Sequence, residues 1–316
     1  MKINQIPNNI NAENADIRAL ALSEFSAAFP LADYAEFYSI VGNADSPRKA
    51  ASVINSGDTR TIGTDYTVKS GTPGFGAVAL KIYGDKVQTD AAYERRGVDI
   101  GSQRALDVAN FSRSLGRFFM DSFINDELSA ETFSGLKEQI TALSKKTVFN
   151  GTNGGSLPTG NASADRKLQD LFIETLELQI ALTRPTVLIA NAYLITRLAS
   201  IGRSYLSTSQ VQDIYGNNRT VTSFAGIPVV DAGYTSNNSG LVIPKNEVEG
   251  SSGSTCTSIY LVRFGEQVDT TLATNVGLDV KNLGLIETSY QTMIEFDVDL
   301  AVLDDTSVSR ISGIIL

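Results

Sequence analysis

The sequence predicts an α+β protein, and three observations carry that reading. Residues 101–128 place apolar side chains at steps of three and four, the repeat of a long amphipathic helix. Ile294, Phe296, Val298 and Leu300 alternate with Glu295, Asp297 and Asp299, the two-residue period of a half-buried strand with an acidic outer face. Elsewhere, Gly-, Ser- and Asn-rich turns separate short strand-type runs from helical ones.

The elements follow in chain order. Ile17, Leu20, Ala21, Glu24 and Phe25 fall at helical spacing over residues 16–29, and Pro30 ends the run. From there to Pro47 no period is visible, so residues 1–54 read as an N-terminal arm. Residues 55–97 read as an extended β-hairpin loop. Gly57, Gly63, Gly71, Pro73, Gly74 and Gly76 punctuate it, Val78, Leu80 and Ile82 alternate along one strand, and Gly84-Asp85 suits a two-residue turn into a return strand over 86–93. A lone ribbon of this kind is marginal in water, so it is expected to lie against another body.

The helix over 101–128 carries its stripe through Val108, Phe111, Leu115, Phe118, Phe119 and Phe123. At 1.5 Å per residue it is a rod of roughly 40 Å. Arg104, Arg113 and Arg117 lie on its other faces with Asp107. A second helix is expected through Phe133, Leu136, Ile140 and Leu143, with Lys145 and Lys146 favourable at its C-terminal end. Residues 150–163 are a turn-rich connector. A helix over 168–182 stops before Arg184-Pro185, residues 186–190 form a buried-type strand, and Asn191 caps a helix that runs to about Ile201, with Gly202 as its C-terminal stop. Further strands are expected at 226–231 and 259–264, with loops between them that include 246–258.

Composition excludes several kinds of chemistry. The chain of 316 residues carries 26 Lys and Arg against 35 Asp and Glu, a net charge of −9. Phosphate-gripping proteins show the opposite balance, so tight sequence-independent nucleic-acid binding is not expected. There is no histidine, which removes His-based acid–base catalysis, Ser-His-Asp triads and nearly every zinc or haem site. Cys256 is the single cysteine, so there is no disulfide framework. No run approaches the roughly 18 apolar residues of a spanning helix, and no apolar run follows Lys2, so the expectation is a protein kept in a reducing cytosol.

Individual motifs fail on their details. Glu295, Asp297 and Asp299 could face a divalent cation, but a calcium loop needs a sharp Gly turn that the run lacks; a solvated or subunit-facing edge is expected. Gly151, Gly154 and Gly155 lack the Lys of a phosphate loop. Ser134 and Lys137 match Ser-x-x-Lys without its companion elements. No catalytic, cofactor-binding or metal residue is assigned. Tyr93-Glu94-Arg95-Arg96-Gly97 stands apart as a charged knot, read either as a solvated turn or as a set of intersubunit ion pairs.

Five stretches then align in order with one family. They are GDKVQTDAAYERRGVDIGSQ at 84–103, KKTVFNGTNGGSLPTGNAS at 145–163, RPTVLIANAYLITRLASIG at 184–202, SFAGIPVVDAGY at 223–234 and EFDVDLAVLDDTSVSRISGI at 295–314. Together they resemble the major capsid protein of tailed bacteriophages, a fold shared with encapsulin shells and the herpesvirus capsid floor. The resemblance implies a spine helix in a peripheral domain of residues 98–165 and 288–316, and an α/β axial domain of residues 166–287. It implies a non-enzymatic shell subunit without cofactor or membrane. That subunit would assemble with itself into hexameric and pentameric capsomers, with scaffold, portal and decoration proteins as further partners. The shell would enclose double-stranded DNA in the virion, after assembly in a bacterial host's cytoplasm. An encapsulin-like compartment is the alternative, and a surface adhesin or binding module a third reading. Phe75, Lys81, Tyr83, Tyr93, Glu94, Arg95, Arg96, Arg113 and Arg117 are the expected subunit contacts.

Overall fold

The computed structural model describes residues 1–5, 15–49, 57–66, 68, 74–202, 206–212, 218–251 and 253–316. After a 3-10 turn at Ile3–Gln5 come α1 (Ala15–Ala28), β1 (Phe37–Ser39), β2 (Ala44–Asp45), β3 (Val78–Ala79), β4 (Lys81–Asp90) and the one-turn α2 (Ala92–Arg95). The long α3 (Ile100–Asn125) is followed by α4 (Leu136–Ala142), β5 (Lys146–Val148), β6 (Gly155–Ser156), α5 (Ser163–Thr183), β7 (Val187–Ala190) and α6 (Ala192–Ile201). The chain closes with β8 (Leu206–Gln212), β9 (Asn218–Phe224), β10 (Ile227–Asp231), β11 (Glu247–Val248), β12 (Ser254–Val262), β13 (Thr270–Ile286), β14 (Ser289–Val302) and β15 (Val308–Ile315).

Local chemistry sets the helix limits. The Asp99 carboxylate caps α3 by accepting from the Gly101 and Ser102 backbone N–H groups at 3.3 and 3.1 Å. Asn191 caps α6 by accepting from Leu194 N–H at 2.9 Å. At the end of α5, Arg184 turns left-handed at φ 51°, just before Pro185.

Two sheets share one core. A four-stranded sheet runs β1-β13-β14-β4. A nine-stranded sheet runs β5-β15-β12-β7-β10-β9-β8, with β6 and β11 on its margins. Phe37, Leu272, Ile294, Phe296 and Val298 of the first sheet pack on Phe25 and Phe29 of the α1 segment and on Phe119 and Phe123 of α3. Val187, Ile189, Tyr260, Val262 and Val308 of the second sheet join that same core. Its other face, through Leu188, Ala190, Ile259 and Leu261, receives Phe172 and Leu176 of α5 and Leu194 and Leu198 of α6. Gly116 lets α1 and α3 touch: a Cβ there would lie 2.6 Å from Phe25 O and 2.9 Å from Ala28 Cβ.

Several expectations are corrected. Gly84-Asp85 is not a turn. Residues 81–90 form one strand, β4, antiparallel to β14 from Lys81 opposite Val298 to Asp90 opposite Ser289. Gly84 serves a close approach instead, since a Cβ would lie 2.2 Å from Ile294 O. The break between β3 and β4 shifts the alternation, so Val78, Leu80 and Tyr83 are buried while Ile82 is exposed. Among the described residues of the segment read as an arm, Phe25, Phe29, Leu31, Ala35 and Phe37 are buried.

The helical stripe also narrows, with Val108, Leu115, Phe119 and Phe123 buried but Phe118 43% exposed. The acidic face of β14 is partly covered. Asp299 is buried, and Asp297 accepts from Asn275 Nδ2 at 2.9 Å. The expected boundary at 287/288 cuts the β13–β14 hairpin, paired from Thr270–Val302 to Ile286–Ser289, while β15 belongs to the other sheet. The 246–258 stretch holds β11 and the start of β12 rather than only loop. Gly71 and Pro73 lie outside the described residues.

Candidate subunit interface

The expected contact residues fall in separate places. Tyr83 is core: its hydroxyl donates to Asp126 Oδ2 at 3.0 Å and accepts from the Phe133 N–H at 3.3 Å, and its ring packs on Phe119 and Phe133. Burial, reinforced by the Asp126 carboxylate, raises its phenol above the ordinary value. Tyr83 therefore holds β4 to the turn after α3 and offers no surface to a neighbour. Lys81 serves the same turn, donating to Ser129 O and Ala130 O at 3.0 Å each. Arg113 pairs with Glu24 of α1 within the chain. One turn on, Arg117 is exposed and lines a cleft of about 360 Å³ with Pro30, Asp231 and Tyr234.

Tyr93, Glu94, Arg95 and Arg96 sit together on and just after α2, all exposed, and none of the three charged residues forms an ion pair among the described residues. Asp90 Oδ1 accepts from the Ala92 N–H at 2.7 Å and starts this turn. Phe75 is exposed and bridges Arg48.

That bridge belongs to the base of a long loop. Lys49 N–H donates to Gly74 O at 2.9 Å and Gly76 N–H donates to Pro47 O at 2.8 Å. β2 pairs with β3 just inside them. Beyond this base, residues 57–66 and Val68 are exposed throughout, apolar Ile62, Tyr66 and Val68 included. A seven-residue cluster of Tyr38, Ile40, Val78, Leu80, Ala273, Ala301 and Leu303 packs the base onto the four-stranded sheet. The loop is thus anchored at its root and uncovered along its described length. Sequence reading placed a projecting ribbon here but put its tip at residue 84, inside a core strand.

Two further surfaces escaped the sequence reading: the outward side of α5, with Leu171, Leu178 and Leu182 exposed, and a cleft beside α6 that includes half-exposed Tyr193. A helical period reveals that a stripe exists, but not that a second, thinner one on the same helix stays open. Cys256 is buried. Among the described residues no group of three or more His, Cys, Asp or Glu is placed to hold a metal ion, and no helix is long and apolar enough to cross a membrane.

Neither a protein-family model nor a curated sequence matches the chain. Solved structures do. The holo-SrpI encapsulin complex from Synechococcus elongatus PCC 7942 matches with a TM-score of 0.59 at 12% identity, over 89% of this chain and 86% of that one. The capsid of a native GTA particle matches with a TM-score of 0.57 at 12% identity, over 98% and 93%. Microbacterium phage Oxtober96 matches with a TM-score of 0.55 at 13% identity, over 96% and 99%. The chain has the fold of these capsid and encapsulin chains.

Proposed function

We propose that this chain is a shell protein, the major capsid subunit of a tailed bacteriophage. The observation that carries the proposal is a fold matched over 98% of the chain by a capsid chain and over 89% by an encapsulin chain, joined to a loop whose described apolar residues are uncovered by their own subunit. An isolated chain leaves such side chains in water; a neighbouring copy can cover them. Contacts between unlike patches close into rings, which supports hexameric and pentameric capsomers as the building blocks. Many modest contacts then sum to a stable wall.

The structural neighbours are shell proteins rather than enzymes, and we assign this chain no catalytic residue. A net charge of −9 suits a wall that encloses double-stranded DNA without gripping phosphates. On this reading the protein resides in the virion, is assembled in the host cytoplasm, and meets scaffold, portal and decoration proteins there.

The encapsulin match keeps a second reading open, a compartment that stores protein cargo. Electron microscopy of particles purified from the producing cells, with analysis of their contents, tests both. Closed shells holding DNA support the capsid, shells holding an enzyme support the compartment, and dispersed single subunits under all conditions contradict both.

A further inference from the structure

α5 has two apolar sides. Phe172, Ile173 and Leu176 are buried against the nine-stranded sheet. On the outward side Leu171, Leu178 and Leu182 are 37%, 56% and 62% exposed. Glu174 lies between them in the same stripe and Glu177 beside it, both exposed and without an ion pair among the described residues. Leu171 to Leu182 is a ridge of about 16 Å at the helical rise. Three leucines in a row on the solvent side of a helix form a face that remains to be covered.

A complementary hollow lies beside α6. This cleft of about 950 Å³ is lined by Tyr193, Arg197, Tyr234 and Lys245, with Leu316 also on its wall, and no acidic side chain is among its described lining residues. Lys245 Nζ sits 3.6 Å from the centre of the Tyr193 ring. Arg197 donates to Leu157 O at 2.8 Å, the only bond its guanidinium makes among the described residues, so further N–H groups stay open. In a chain of net charge −9, a cleft with two cationic and no carboxylate side chains among its described lining residues runs against the background. No leucine or glutamate of the ridge lines the cleft of its own chain. Ridge and hollow are different patches, so a contact between them in successive copies is head-to-tail and propagates around a ring.

We propose that the α5 ridge of one copy seats in the Tyr193–Lys245 cleft of the next, with Glu174 and Glu177 meeting Arg197 and Lys245. This rests on the shell reading and names one of its contacts. The leucines give the burial, and the charges, desolvated by it, fix the register.

Two measurements test the inference. Arg197→Glu with Lys245→Glu, and Glu174→Lys with Glu177→Lys, should each raise the protein concentration needed for assembly about tenfold, and combining all four should restore most of that loss. Carbodiimide, which joins a carboxylate to an amine in contact with it, should link Glu174 or Glu177 to Lys245 of another copy in wild-type particles, identified by mass spectrometry. That link decides the matter if a variant fails to fold. Particles that form normally from the charge-reversed variants and yield no such link overturn this contact and leave the shell reading intact. A ridge-to-ridge link, or a small anion occupying the cleft in assembled particles, also overturns it. A wild-type chain that never assembles overturns the shell reading, and this inference with it.

Discussion

The Asp299 carboxylate accepts the Ala79 backbone N–H at 2.8 Å, tying the four-stranded sheet to the root of the projecting loop. Asp299 lies on the covered face of β14, next to the small cluster that includes Tyr38, Ala301 and Leu303. Burial pushes its carboxyl up to about 6, against the backbone N–H groups of Ala79 and Leu300 and the charge of Lys81, which favour the ionised form. A buried carboxylate thus sits where the loop leaves the body.

Its pH dependence has a definite sign. With a folded value of about 6 above the ordinary 3.8, the folded chain binds more protons than the unfolded chain between those values. The stabilisation is complete below the ordinary value and is lost as pH rises through the folded one. Relative to Asp299→Asn, the wild-type subunit should therefore gain about 1 kcal/mol from pH 7 to pH 5. Urea unfolding of dispersed subunits at both pH values measures this, and an unchanged difference would contradict it.

Gly84 faces the β14 backbone at a distance that no side chain tolerates, with a Cβ placed 2.2 Å from Ile294 O and 2.8 Å from Glu295 Cα. Gly84→Val should force β4 from its partner and cost about 2–4 kcal/mol. A thermal melt matching wild type would show that Gly84 is not needed for the pairing.

Neighbouring phenylalanines on α3 should behave oppositely. Phe119 touches Phe25, Phe29, Tyr83, Phe133 and Phe296, so Phe119→Ala should cost about 3–5 kcal/mol. Phe118 is half-exposed beside Tyr83, and Phe118→Asp should cost about 1 kcal/mol or less. Equal losses in denaturant midpoint would falsify this division of the helix.

The long elements were legible because their periods are long. α3, α4, α5, β7 and α6 fall close to their expected places, fixed by stripes such as Leu136–Ile140 and caps such as Asn191. Alternation marks β14 as a strand but says nothing about what covers its second face; the β3 backbone covers Asp299 there. Gly84 shows the same limit. Gly-Asp has the local chemistry of a turn, yet tertiary contact with β14 places it inside a strand. The β8–β9 hairpin was missed because Ser207, Thr208, Ser209 and Gln210 give no apolar alternation; cross-strand pairing with residues 220–223 makes the strand. Of the expected contacts, Tyr93 to Arg96 and Phe75 lie exposed, while Tyr83 is consumed by the core. Burial of a lone aromatic depends on parity, and the break after β3 reset it.

Loop removal should separate folding from assembly. Deleting residues 57–68, whose described members are exposed, should leave the melting temperature of the subunit within a few degrees of wild type. Particle formation should be impaired. A larger deletion, of residues 72–90, would remove β3 and β4 and should unfold the chain. Unfolding of the 57–68 deletion, or normal particles from it, would show that the loop serves its own subunit.

Sedimentation velocity across a concentration series tests most directly whether these copies complete their burial on one another. The account predicts a threshold: a slow boundary of the 33.8 kDa chain or its small rings, then abrupt appearance of one fast, uniform particle. A single boundary at the mass of one chain, unchanged at every concentration and ionic strength, would contradict it.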